Sequence, residues 1–144
     1  MHTQVIIALL PSDGIEDEHM TLVYCGDTER LVTAPVSVMQ ETCSRLSMIF
    51  QPFSAYVTGH DIFGPSDDRV EVATIDAPMI WTMRHCVESF HMSQFGLRPH
   101  ITKVGANPLR GVGSSIGINR IALWYGEHRE EFRLGGNRPL YTMR

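Results

Sequence analysis

Two short stretches of the 144-residue chain carry the same pair of reactive side chains, His19-Met20-Thr21 and His100-Ile101-Thr102. In a strand, alternate side chains share a face. Each triplet then holds an imidazole beside a hydroxyl, with its apolar middle residue turned into the opposite packing. Imidazole is the side chain that titrates nearest neutrality, so two of them across a cleft divide acid and base work within one turnover. Hydroxyls two residues further on are placed to hydrogen-bond the non-bridging oxygens of a phosphoryl group as its charge redistributes in the transition state. That arrangement needs no metal.

Seven His and twenty Ser or Thr in this chain would produce about one His-x-Ser/Thr by accident, and three occur. The third, His91-Met92-Ser93, falls in a stretch that reads as helix. Residues two apart on a helix do not share a face, so this one reads as the accident.

The elements that must position the two pairs follow from periodicity. Val5 to Leu10 is a short β-branched run closed by Pro11-Ser12-Asp13-Gly14, which predicts a buried, central strand and a turn. A second strand, Met20 to Cys25, carries the first His-x-Thr. Thr33 followed by Pro35 predicts a helix start, with Val36, Met39, Cys43, Leu46 and Ile49 at helical spacing and Pro52 as the stop. Phe53 to Val57 and Val70 to Ile75 read as a hairpin about Gly64-Pro65-Ser66-Asp67-Asp68. Asp76 before Pro78 repeats the cap-then-proline signal, and Ile80, Met83, Val87 and Phe90 predict a second helix ending at Gly96. After the His100 strand, the segment from Gly105 through Ser115 reads as a mobile connection. Ile118 to Tyr125 and Glu130 to Leu134 then form a hairpin around Gly126-Glu127-His128. With the two motifs 81 residues apart, the pattern is a pseudo-symmetric α+β domain, its two His-x-Thr strands meeting in the middle and its helices outside.

The length fits one domain over residues 1–144. The longest apolar run is far short of a membrane span, and Met1-His2-Thr3-Gln4 lacks the basic start of a signal peptide. A cytoplasmic protein is expected. Cys25, Cys43 and Cys86 have no Cys-x-x-Cys spacing and read as reduced, buried thiols. The net charge of -4 argues against a grip on long nucleic acid. Its distribution is uneven: residues 1–72 hold three Arg and no Lys against eleven acids, residues 73–144 nine basic residues against five acids. Arg98, Lys103, Arg110, Arg120 and Arg138 make the second half the one that could welcome an anion.

On these residues the chain resembles the 2H phosphoesterases, which include LigT-like RNA 2',3'-cyclic phosphodiesterases and bacterial proteins named 2'-5' RNA ligases. The resemblance rests on His19-Met20-Thr21-Leu22 with Gly26 shortly after, the Phe53 to Phe63 region, the Val70 strand, and Arg98-Pro99-His100-Ile101-Thr102. It implies a bilobal, pseudo-two-fold α+β fold with two antiparallel sheets around a central cleft. It also implies phosphodiester chemistry on RNA ends, 2'-5' linkages or cyclic nucleotides, with His19 and His100 as the acid-base pair and Thr21 and Thr102 as phosphate holders. No cofactor and no metal are implied. The chain is short for the LigT-like branch, which with the net acidity favours a small nucleotide or short oligonucleotide, and a monomer is expected. Compact two-histidine enzymes also occur in phages, where some cleave cyclic oligonucleotide signals of bacterial defence.

Among further candidates, Arg98 shares the face of His100 and is an anion contact, while Lys103 points the other way. Phe63 beside Gly64 and Tyr125 beside Gly126 are the aromatics expected to line the cleft; the other aromatics, Trp81 and Trp124 among them, read mostly as core. Gly111-Val112-Gly113-Ser114-Ser115 lacks the Lys and the strand-to-helix setting of a P-loop. His60 and Asp61 read as solvated. Two other classes of function are open to such a sequence. One is a nucleotide-binding module that sequesters a phosphorylated ligand without cutting it. The other is a metallohydrolase, but there is no His-x-His or His-Glu-x-x-His, and Thr is a poor ligand.

Overall fold

A computed structural model describes residues 3–93 and 96–135; His2 and Arg138 lie outside them. The elements in chain order are β1 (Gln4–Pro11), β2 (Met20–Asp27), α1 (Val36–Ile49), β3 (Phe53–Phe63), β4 (Val70–Asp76), α2 (Pro78–Val87) with a 3-10 turn (Glu88–Phe90), β5 (His100–Thr102), β6 (Ser115–Tyr125) and β7 (His128–Arg133).

The strands run in the order β2-β1-β6-β3-β4-β5, with β7 also on β6, and every pairing is antiparallel. The two expected sheets are joined through β6. Its first residues, Ser115 to Ile118, pair with β3, and its remainder pairs with β1 and β7. The two ends of the strand order, β2 and β5, curl back towards each other. Those ends carry the two His-x-Thr motifs, so closure of the sheet is what creates the cleft.

β1 is buried along almost its whole length because it is covered on both faces. Val5, Ile7 and Leu9 face the main core, with Met39, Cys43 and Leu46 of α1 and Ile80, Met83 and Val87 of α2. Ile6, Ala8 and Leu10 face the other way, joining Ala122 and Trp124 of β6 in a smaller cluster that Tyr24 borders.

The helices start differently from the sequence expectation. Thr33 does not cap α1: its hydroxyl lies 2.7 Å from the Phe90 carbonyl and 3.2 Å from that of Cys25, and Pro35 leads into the first turn. Asp76 does not cap α2 either; Ala77 holds that position, and the Asp76 carboxylate accepts from Trp81 Nε1. Pro35 itself holds the N-cap position of α1, and Pro78, at the first position of α2, needs no donor partner there. Ile49 is exposed although it fits the helical spacing, and Cys86 is exposed, against the expectation of a buried thiol. Burial pushes the Cys25 and Cys43 thiols up to about 12, which keeps them protonated and inert.

The second helix is shorter than its periodicity suggests. α2 ends at Val87 and Phe90 is buried from the 3-10 turn, so His91-Met92-Ser93 lies outside any helix. Met92 donates its N–H to the Tyr24 carbonyl, docking this segment on β2. The expected mobile connection is pinned. Gly113 N–H donates to Val57 O, Val57 N–H to Ser114 O, and the Arg110 carbonyl lies 2.7 Å from His60 Nε2. No helix among the described residues is long and apolar enough to cross a membrane.

Candidate active site

A bulge in β2 sets the first wall of the cleft. β1 and β2 pair as Ile7↔Val23 and then Ala8↔Thr21, leaving Leu22 as the extra residue. Thr21 and Tyr24 thereby share the cleft face although they are three apart. The bulge removes the Leu22 carbonyl from the ladder, and Arg84 of α2 donates to it at 2.7 Å. Arg84 is 7% exposed and is also ion-paired with Glu88. A buried guanidinium is thus committed to the backbone that aims Thr21.

Each histidine is held in the same way. His19 Nδ1 is 2.8 Å from the Asp17 carbonyl, and His100 Nδ1 is 2.6 Å from the Arg98 carbonyl. A carbonyl only accepts, so Nδ1 carries the proton and Nε2 is the nitrogen left for chemistry. Asp17 reaches this geometry with φ at 73°, a left-handed conformation that Asp tolerates better than most residues.

Each histidine also rests on an aromatic ring that an arginine covers. His19 meets Trp124 at 4.4 Å between ring centroids, and the Arg129 guanidinium lies 3.8 Å from the centre of that indole. His100 meets Phe63 edge-on at 4.7 Å, and the Arg98 guanidinium lies 4.0 Å from the centre of that ring. Arg129 is ion-paired with Asp17. Arg98 has no carboxylate partner among the described residues. The other expected cations among the described residues are occupied: Lys103 by Glu71, Arg120 by Glu131, and Arg110 by Asp13 and, through both carboxylate oxygens, Glu18.

Burial is the main influence on both imidazoles and holds their pKa values below the ordinary range, against the raising effect of the Asp17 and Arg98 carbonyls. Neighbouring positive charge acts in the same direction as burial: Arg129 and His100 on His19, Arg98 on His100.

One cavity joins Thr21, Tyr24, Arg98 and His100, and a second reaches His19 beside Trp124 and Arg129. Thr102 shares the half-buried face of His100 but lines a narrower crevice with Glu18 and Arg110. Phe63 packs edge-on against His100 and under the Arg98 guanidinium. Tyr125 does not line the cleft: it is on the opposite face of β6, against the main core, and its neighbour Trp124 takes the cleft. Strand alternation makes these two positions mutually exclusive. Sequence reasoning misses Asp17, Trp124 and Arg129. For Asp17 a signal existed, since it stands two residues before His19 as Arg98 stands before His100.

Among the described residues no three His, Cys, Asp or Glu side chains converge into a metal-ligand group. Compared by sequence, the chain matches no family model and no curated protein. Compared by structure, it matches TT0787 of Thermus thermophilus with a TM-score of 0.63 and 18% identity, over 94% of this chain and 100% of that one. It matches Escherichia coli LigT, solved in complex with 3'-AMP, with a TM-score of 0.54 and 11% identity, over 93% and 96%. A second LigT structure, complexed with ATP, gives 0.53 and 13% over 92% and 95%. The chain has the LigT-like α+β fold of the 2H phosphoesterases.

Proposed function

We propose that this chain is a metal-independent phosphodiesterase that opens or cleaves phosphodiesters of small nucleotides or short oligonucleotides by general acid-base catalysis between His19 and His100. The observation that carries this reading is the duplicated frame: each Nδ1–H is fixed on a carbonyl two residues earlier, which leaves each Nε2 for proton transfer. One histidine deprotonates the attacking water or hydroxyl, and the other protonates the departing ribose oxygen. Thr21 and Arg98, in the same cavity as His100, hold the non-bridging oxygens and stabilise their charge. Thr102 assists from the His100 strand, and Phe63 orients both His100 and Arg98.

The fold it shares with LigT supports phosphoester chemistry, and the nucleotides bound to LigT support a nucleotide ligand. The test is product formation from 2',3'-cyclic mononucleotides, RNA with cyclic phosphate ends, 2'-5' linked oligonucleotides and cyclic di- and trinucleotides, in excess EDTA. Turnover by the wild type that is lost in both His19→Ala and His100→Ala is expected. Stoichiometric binding with no product from any substrate would overturn the enzyme reading in favour of a sequestering module.

A further inference from the structure

Resting on the phosphodiesterase reading, we infer that His91 and Ser93 form a third binding pair in the catalytic cavity, one that holds a phosphate of the substrate other than the phosphate being cleaved. The His-x-Ser spacing reads as chance only if the segment is helical. It is not: His91 follows the 3-10 turn with φ -67° and ψ 131°, an extended conformation. Residues two apart on an extended segment share a face. Both His91 and Ser93 accordingly line the cavity of Thr21, Arg98 and His100, whereas Met92 between them does not. The pair repeats the arrangement of the two His-x-Thr strands and is turned into the same space.

Position separates this pair from the reacting phosphate. The Met92 N–H donates to the Tyr24 carbonyl at 3.0 Å, which fixes the segment beside β2 at a point three residues beyond Thr21. Three residues of extended strand span about 10 Å, and the bulge at Leu22 shortens that only in part. That separation assigns His91 and Ser93 to a group further along the substrate. The lining of the cavity specifies the group as anionic. Arg84, Arg98, His91 and His100 are its ionisable side chains able to carry positive charge, and among the described residues no Asp or Glu lines it. Arg84 is committed to Glu88 and to the Leu22 carbonyl, which leaves Arg98 and the imidazoles to meet a ligand. A phosphate offers such donors only acceptor oxygens and negative charge. Unlike His19 and His100, the His91 ring has no carbonyl partner among the described residues. No tautomer is set there for directional proton transfer, so its role is to bind. The preferred substrate then carries a phosphate besides the cleaved diester, which a cyclic mononucleotide lacks.

The test is binding, measured by calorimetry, of adenosine 3'-monophosphate and of adenosine 3',5'-bisphosphate, which share one phosphate and differ in the second. Wild-type protein is expected to bind the bisphosphate about tenfold more tightly, as a charge-assisted hydrogen-bonded contact gives. The double variant His91→Ala, Ser93→Ala is expected to lose that preference. Equal affinity of the wild type for the two compounds, or binding of neither, overturns the second phosphate site. A preference that survives in the double variant, or a double variant weakened alike toward both compounds, overturns its assignment to His91 and Ser93. Because no readout involves turnover, failure of the substrate panel would count against the phosphodiesterase reading alone.

Discussion

The two halves of the cleft solve the same positioning problem with different backbones. On one side, His19 precedes an eight-residue strand paired along its length with the buried β1. On the other, His100 opens a three-residue strand at the end of the sheet, paired only with β4. Yet both imidazoles donate Nδ1–H to the carbonyl two residues before them and rest on a ring covered by an arginine. The difference lies in the arginine. Arg129 is committed to Asp17, while Arg98 lies over the ring of Phe63 with no carboxylate partner among the described residues. Local geometry is duplicated and charge is not, so one side is suited to hold an anion and the other an uncharged group.

Removing either histidine should have the largest effect on this comparison. His19→Ala and His100→Ala are each expected to lower kcat by about 10² to 10⁴, and the double variant by little more than the worse single one, because the pair acts as a unit. A double variant slower by the full product of the single losses would mean that the two imidazoles work independently.

Next in size are the groups that hold the phosphate. Thr21→Ala is expected to cost on the order of 10- to 1000-fold in kcat/KM, and Thr102→Ala less, since Thr102 lines a narrower crevice than the one shared by Thr21 and His100. Arg98→Ala should cost more than Arg129→Ala on a 2',3'-cyclic mononucleotide, because Arg129 is paired with Asp17 and Arg98 has no carboxylate partner among the described residues. The reverse order in steady-state kinetics would refute the charge asymmetry between the two sides.

A smaller effect is expected in the pH profile. Burial lowers both imidazole pKa values, so the free protein with one neutral and one protonated histidine is most populated on the acid side of about 6.5, the unperturbed value. The maximum of kcat/KM should lie there, and an optimum above neutrality would contradict it. Stability follows the same sign. The unfolded chain binds these protons more readily, so the contribution of both histidines is complete above about pH 6.5 and is lost as pH falls through the lowered folded values. Denaturant midpoints measured between about pH 7.5 and 5 report this directly.

The smallest effect is expected at Arg84, which touches neither histidine. Arg84→Met keeps much of the buried volume but leaves the Leu22 carbonyl unpaired, at a cost of about 1–3 kcal/mol, readable by urea unfolding. If the bulge aims Thr21, the variant should also lower kcat, whereas unchanged kcat in the folded variant would separate the bulge from catalysis.

The order of strands and helices is legible from periodicity and proline signals, and so are the two strands that carry His-x-Thr. Two helix caps are misread because Thr33 and Asp76 bond to other partners, and a cap signal cannot reveal competition from 57 residues away, as with Phe90. The Gly126 turn marks Tyr125 rather than Trp124, but a turn signal does not say which face of the strand meets the cleft. The Leu22 bulge decides that for β2, and it leaves no distinctive residue type behind.

What the sequence determined by itself is the local content of this protein: which segments extend, which coil, and which two triplets pair an imidazole with a hydroxyl. Those follow from the spacing of apolar residues and from backbone constraints that act over a few positions. Only the tertiary structure decided that β2 and β5 close on each other, that Arg129 is neutralised and Arg98 is not, and that the Trp124 Nε1 is buried without a partner among the described residues. Each of these depends on groups brought together across the sheet from far apart in the chain, as Asp17 and Arg129 are, and such neighbours exist only once the sheet has closed.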